Sequence, residues 1–140
     1  MLTTLLSDAQ PPWAGDQLLF FLASTEFTAL TDPTARYLAL LCWVARNNPG
    51  DFADFISHQE SGRRYLMLNR DELNEIRSHN HAVQLAGTQY WAVLLIDRTT
   101  KRRFVSRLLE FIGCHDKTIA ESCRALGLTE APAVFRLLSA

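Results

Sequence analysis

The stretch Gly87-Thr88-Gln89-Tyr90-Trp91, continued by the apolar run 92–96 and the basic turn Asp97-Arg98-Thr99-Thr100-Lys101-Arg102-Arg103, decides how this chain is read. A turn residue at 87 and aromatics opening an apolar run predict a strand from about Tyr90 to Ile96. The threonines that follow predict the start of a helix. Thr99 or Thr100 can cap it, and it runs to about Ile112 with Phe104, Leu108, Phe111 and Ile112 as its buried stripe. Cations clustered where a helix begins, beside the N–H groups of its first turn, make a surface that can meet an anion, and a nucleic acid backbone is the anion it suits.

Outward from this stretch, helices are predicted at both ends of the chain and strands in the middle. Toward the N-terminus, Arg63 to Leu68 suits a first strand, with a loop or short helix at Asp71 to Arg77 before the second. Trp13 to Ala23 reads as a helix, with Pro11 and Pro12 ahead of it and Asp16 in its first turn. Thr31 or Asp32 can cap a second helix at Pro33, buried from Tyr37 to Val44 and ended by Asn47-Asn48-Pro49-Gly50. A third, from about Asp51 to His58, places Phe52 and Phe55 on one face. Toward the C-terminus, Asp116 can cap a last helix through Leu126, which Gly127 stops. The order helices, strands, helices gives an α+β fold with helices flanking a small antiparallel sheet, and shows no crossover pattern for a parallel one.

At 140 residues the chain suits a single domain, 1–140, that buries roughly two thirds of its unfolded surface. Its longest apolar run, Tyr37 to Ala45, falls far short of the roughly 18 residues that suggest a membrane span. The start Met1-Leu2-Thr3-Thr4-Leu5-Leu6 carries no basic segment and breaks at Ser7 and Asp8, unlike a secretory signal. Cys42, Cys114 and Cys123 have no paired spacing, and read as reduced thiols of a cytosolic protein.

The net charge of −1 conceals an asymmetry. Residues 1–60 hold Arg36 and Arg46 against seven carboxylates, whereas residues 61–140 hold twelve Lys or Arg against eight, giving −5 and +4. The basic half is the expected contact for an anionic partner, with Arg98, Lys101, Arg102, Arg103 and Arg107 as its densest cluster.

These segments resemble the C-terminal DNA-binding domain of the SeqA family, negative modulators of replication initiation that bind hemimethylated GATC sites. Ser24-Thr25-Glu26-Phe27 resembles the family's Ser-Asp-Glu-Tyr. Arg36-Tyr37, Leu40-Leu41 and Phe52-Ala53 follow at the family's spacing. Gly62-Arg63-Arg64 is similar to Gly-Arg-Thr-Arg, and Gly87-Thr88-Gln89-Tyr90-Trp91 to Gly-Thr-Pro-Tyr-Trp. The likeness spans about residues 18–127 and leaves 128–140 as an additional tail.

The resemblance implies a nucleoid-associated protein of the bacterial cytoplasm that binds double-stranded DNA through Arg63, Arg64 and the loop at 95–101; with the basic cluster, the expected DNA-binding residues are Arg63, Arg64, Asp97, Arg98, Thr99, Thr100, Lys101, Arg102 and Arg103. Arg63 and Arg64 would engage phosphates or a guanine edge, or else form a strand-edge pair bonded to the acidic half. Thr99, Thr100 and Lys101 would offer a phosphate their hydroxyls, N–H groups and charge, and the threonines could equally be plain helix caps. Where the family carries Asn-Thr-Asn-Thr-Gly-Arg-Lys, whose asparagine region reads the methylated A·T pair, residues 95–101 stand here. Asparagine can donate to adenine N7 and accept from N6 at once, whereas Asp97 only accepts and repels phosphates, so weakened methyl-GATC readout is expected. The roughly 20 residues ahead of the likeness leave no room for the family's oligomerisation segment and linker. A homodimer or protein partner would then use another surface, and the apolar tail Ala133-Val134-Phe135-Arg136-Leu137-Leu138 is the candidate. The competing reading is a protein-interaction domain on this scaffold that has lost DNA readout.

Other constellations point to packing. His79-Asn80-His81 lacks further ligands nearby, and the spacing of Cys114, His115 and Cys123 matches no common zinc pattern, so neither metal nor cofactor is expected. Trp13 and Trp43 read as packing residues, and one of Tyr90 and Trp91 faces the core by strand alternation. The residues two before Lys101 and Lys117, the only lysines, are Thr99 and His115, so no nuclease-like Glu-x-Lys is present. With no nucleophile elbow or phosphate-binding glycine loop either, an enzyme is not expected.

Overall fold

A computed structural model of the chain describes residues 13–58, 66–67, 82–94 and 96–128. Helix α1 spans Trp13–Ala23, as the sequence predicts. Ser24 both ends it and opens a four-residue helix that the sequence reading missed, α2 (Thr25–Thr28). The Ser24 hydroxyl donates to the Phe21 carbonyl at 2.6 Å and accepts from the Phe27 N–H at 3.3 Å, so one side chain serves two helix ends. Phe21 then packs edge-on to Phe27 and stacks on Trp43, with ring centroids 5.4 and 5.8 Å away.

Helix α3 (Pro33–Asn47) begins with Pro33 in its first turn, and the Asp32 carboxylate caps it by accepting from the Ala35 N–H at 3.1 Å. Tyr37, Leu40, Leu41, Val44 and Ala45 are buried, the i, i+3, i+4, i+7, i+8 stripe of a helix that faces a core. Helix α4 (Pro49–Ser57) starts two residues before the expected Asp51. Pro49, read as a terminator, also has the φ that a first helical residue needs, so the same proline ends α3 and starts α4. Asn48 is the cap shared by both helices. Phe52 and Ile56 of α4 are buried and Phe55 is half-buried.

Three short strands, β1 (Leu66–Met67), β2 (Ala82–Gln84) and β3 (Trp91–Val93), form an antiparallel sheet in the order β1-β3-β2. Leu66 pairs with Ala92 on one side of β3, and Val83 pairs with Ala92 on the other. The expected α+β class with a small antiparallel sheet is therefore what the chain adopts. The sequence reading missed β2, whose three residues are too short to display a period. It also made β3 too long at both ends. Tyr90 already belongs to the hairpin loop, where Leu85 N–H donates to its carbonyl at 2.9 Å, and Ile96 N–H turns back to the Leu94 carbonyl at 2.9 Å. Gly87, with φ 76°, makes that loop, and Thr88 pins it by donating its hydroxyl to the Leu85 carbonyl and accepting from the Tyr90 N–H.

Helix α5 (Arg98–Phe111) leads through Gly113 to α6 (Asp116–Ala125). His115, not the expected Asp116, is the N-cap of α6, and Asp116 lies in the first turn, where its charge meets the positive helix end. Gly127 stops α6 at φ 74°, and the following Leu128 N–H reaches the Cys123 carbonyl at 2.9 Å, the six-to-one bond of a left-handed helix stop. On α5 the buried stripe is Phe104, Val105, Leu108 and Leu109, continued by Ile112. Phe111, expected inside, is 45% exposed. A residue two turns on from Phe104 returns to the core at 111 or 112, and Ile112 takes the place, leaving Phe111 at the edge against Phe55 with ring centroids 5.5 Å apart.

The core gathers α1, α3, α4, α5 and α6 around Tyr37, Phe52, Leu40, Leu41 and Leu108, all essentially without exposed surface. The sheet is tied to it by Ala92 and Leu85, by the edge-on contact of Tyr90 with Phe52 at 4.9 Å, and by the Cys42 thiol, which lies 3.7 Å from the Ala86 carbonyl. Packing is thus the role of Tyr90, and Trp43 packs as expected. Among the described residues no helix is long and apolar enough to cross a membrane.

Candidate nucleic-acid interface

The basic turn 97–103 folds into the first two turns of α5. Asp97, not a threonine, is the N-cap: its carboxylate accepts from the Thr100 N–H at 2.7 Å, and its carbonyl from the Lys101 N–H at 2.9 Å. The helix starts at Arg98, two residues earlier than a Thr99 cap and three earlier than a Thr100 cap would place it, because a carboxylate outcompetes a hydroxyl for N–H groups at the positive end of a helix. The bond from Thr100, with Arg103 nearby, holds the Asp97 carboxyl below the usual carboxylate range. At neutral pH a fixed negative charge therefore stands at the head of α5, where the resemblance implies a base-reading asparagine.

This cap releases both threonines from capping duty at their own positions. Thr99 is exposed and Thr100 half-buried. The basic cluster divides according to the 100° step of the helix. Arg98, Lys101 and Arg102 share one side at the i, i+3, i+4 spacing, whereas Arg103 and Arg107, both exposed, lie on another. Arg107 sits more than one turn farther from the helix head than Arg103. The residues 97–103 come together at one helix end. Arg63 and Arg64 lie outside the described residues, as do His79, His81 and the tail 133–138.

Lys101 differs from its basic neighbours. It is half-buried, and its Nζ lies 5.1 Å from the centroid of the Tyr37 ring, over its face. The two residues border a cavity of about 290 Å³, walled also by Arg98, Pro33 and the Leu126-Gly127-Leu128 end of α6. Arg102, half-buried, comes close enough to α6 to act electrostatically on Cys123.

Charge in the sequence missed one arginine altogether. Arg36 donates from Nε to the Leu30 carbonyl at 2.6 Å, from Nη1 to Ala125 at 2.9 Å and from Nη2 to Thr28 at 3.3 Å, with its guanidinium 5.0 Å from the Phe27 centroid. It joins the ends of α2 and α6 to α3. The only signal in the sequence was its place in the family's Arg-aromatic pair. The thiols are structural as well. Cys123 is buried near the Ser106 hydroxyl, and burial pushes the Cys114 thiol up to about 11. Among the described residues no three His, Cys, Asp or Glu side chains are grouped to hold a metal ion.

Comparison with known proteins agrees with this architecture. Residues 16–125 match the family model described as the SeqA protein C-terminal domain. Among solved structures, that of Vibrio cholerae SeqA superposes with a TM-score of 0.71 at 17% sequence identity, covering 79% of this chain and 96% of that one. No curated protein matches.

Proposed function

Because the chain belongs to the SeqA C-terminal domain family of DNA-binding replication regulators, we propose that it binds duplex DNA mainly through the phosphate backbone, with the first turn of α5 against a phosphate and weakened preference for hemimethylated GATC. Arg98, Thr99, Thr100, Lys101, Arg102 and Arg103 supply the contacts from α5, and Arg63 and Arg64 join them from the segment ahead of β1. It acts as a nucleoid-associated regulator in the bacterial cytoplasm.

One observation carries the reading: the anchoring of the carboxylate of Asp97 as the cap of a helix whose first six residues hold four cations and two hydroxyls. The cations give affinity that is insensitive to sequence, since phosphates are the same along any duplex. The anchored carboxylate cannot present adenine with the donor and acceptor that asparagine does, which removes the expected base contact.

Titration of methylated, hemimethylated and unmethylated GATC duplexes over a range of salt tests both parts. The logarithm of affinity should fall linearly with the logarithm of salt, by about 0.9 per phosphate neutralised. Discrimination between hemimethylated and unmethylated sites should stay under about tenfold, below one good bidentate base contact. A larger preference refutes the weakened readout, and no binding to any duplex at low salt refutes DNA binding and favours a protein partner.

A further inference from the structure

The cations at the head of α5 are held in different ways, and the difference assigns a role to a residue that cannot itself reach DNA. Tyr37, the fifth residue of α3, is 2% exposed, and its ring face lies under the Lys101 ammonium at 5.1 Å. Lys101 stems from the core side of α5: three residues before Phe104 and seven before Leu108, it is aligned with the buried stripe. A flexible lysine starting there would otherwise wander over four torsions. The ring gives its charge a preferred resting place beside the cavity bounded by Pro33 and Gly127.

We propose that Tyr37 is a positioning residue for DNA binding, which holds the Lys101 ammonium at the mouth of this cavity so that it meets a backbone phosphate with little further loss of side-chain freedom. The inference rests on the proposed DNA-binding reading and deepens it. The phosphate seat lies in the notch between the start of α3 and the end of α6, on the side of α5 that carries Arg98 and Lys101. Arg103, exposed on another side, meets a different phosphate. Ordering the side chain before binding contributes to affinity because its entropy is already lost in the free protein. The aromatic face is what matters, so the phenol hydroxyl is dispensable for this role.

The experiment is a double-mutant cycle on the full chain, read by duplex affinity at several salt concentrations. Lys101→Ala should lower affinity and reduce the salt slope by about 0.9, the value for one phosphate. Tyr37→Leu should lower affinity by about threefold, the scale of a partly exposed cation–ring contact. It should do nothing further in the Lys101→Ala background, whereas Tyr37→Phe should bind as the parent does. An equal loss from Tyr37→Leu with and without Lys101 means that the ring acts through the fold and overturns the proposal. So does a Lys101→Ala variant that binds like the parent while Arg103→Ala does not, an outcome that leaves the DNA-binding reading standing. No duplex binding by the parent overturns both. Should Tyr37→Leu fail to fold, proton NMR of the parent decides. The chain has two lysines, and ring current should shift the side-chain methylene protons of Lys101 upfield from those of Lys117, with a change on adding duplex. Two unshifted lysines, or a shifted Lys101 indifferent to duplex, overturn it.

Discussion

Arg36 and the cations at the head of α5 carry the same charge, yet they serve opposite ends. All three nitrogens of the Arg36 guanidinium donate to carbonyls, of Leu30, Ala125 and Thr28, and its face covers Phe27. Arg103 and Arg107 extend from α5 into solvent. The difference teaches that a cation's role depends on what lies within reach of its fork. An arginine beside helix ends, where carbonyls lack intrahelical partners, becomes part of the fold. One on an exposed helix face, as Arg103 is, extends into solvent and can meet an external anion.

Substitution of Arg36 should have the largest effect. Arg36→Met keeps much of the stem over Phe27 but strands three carbonyls, and should destabilise the protein by about 2–4 kcal/mol in denaturant unfolding. Whatever fraction is folded should bind duplex with an unchanged salt slope. Unchanged stability would break the contrast, since Arg36 would then be one more surface cation.

The converse variant is Arg103→Ala. Its unfolding free energy should stay within about 0.5 kcal/mol of the parent, while duplex affinity falls and the salt slope drops by about 0.9. A loss of stability without a change in slope would place Arg103 in the fold beside Arg36.

The smallest effect sharpens the contrast at Asp97. Asp97→Asn retains a good helix cap and removes the negative charge from the phosphate-facing end, so duplex affinity should rise by about twofold to threefold. Its pH dependence identifies the charge. The folded Asp97 carboxyl titrates below its usual value, so its contribution to stability is present above the unfolded value of about 3.9 and is lost as pH falls through the folded one. Thermal unfolding of the parent should therefore lose this contribution in that acid window, and the asparagine variant should not. Equal acid responses would show that the carboxylate does not act as the cap.

Much of the helical frame was legible because it is written locally. Trp13–Ala23 is seen with the expected bounds, and Asp32 and Pro33 open α3 where proposed. These signals are side-chain acceptors and a proline, which act within one turn of chain. The site was partly legible for the same reason: the cap of α5 lies two residues before the first threonine proposed for it. The errors arose where neighbours compete. Asp97, read as a misplaced base reader, is the cap because it precedes both threonines. Phe111 lost its core place to Ile112 because the direction of the core seen from α5 is set by α4 and α6. β2 was missed because three residues joined to β3 by a hairpin are defined by their partner.

By itself, then, the sequence determined the α+β class, the starts of α1 and α3, the stop at Gly127 and the gathering of cations into residues 98–103, because each depends on contacts a few residues apart or on a resemblance spread along the chain. Only the tertiary structure decided what those charges do. Arg36 reaches Ala125 across 89 positions of sequence, and Lys101 reaches Tyr37 across the join of α3 and α5. Guanidinium and ammonium groups take their roles from acceptors and ring faces that chain folding brings within about 3–6 Å, and no local pattern encodes those distances.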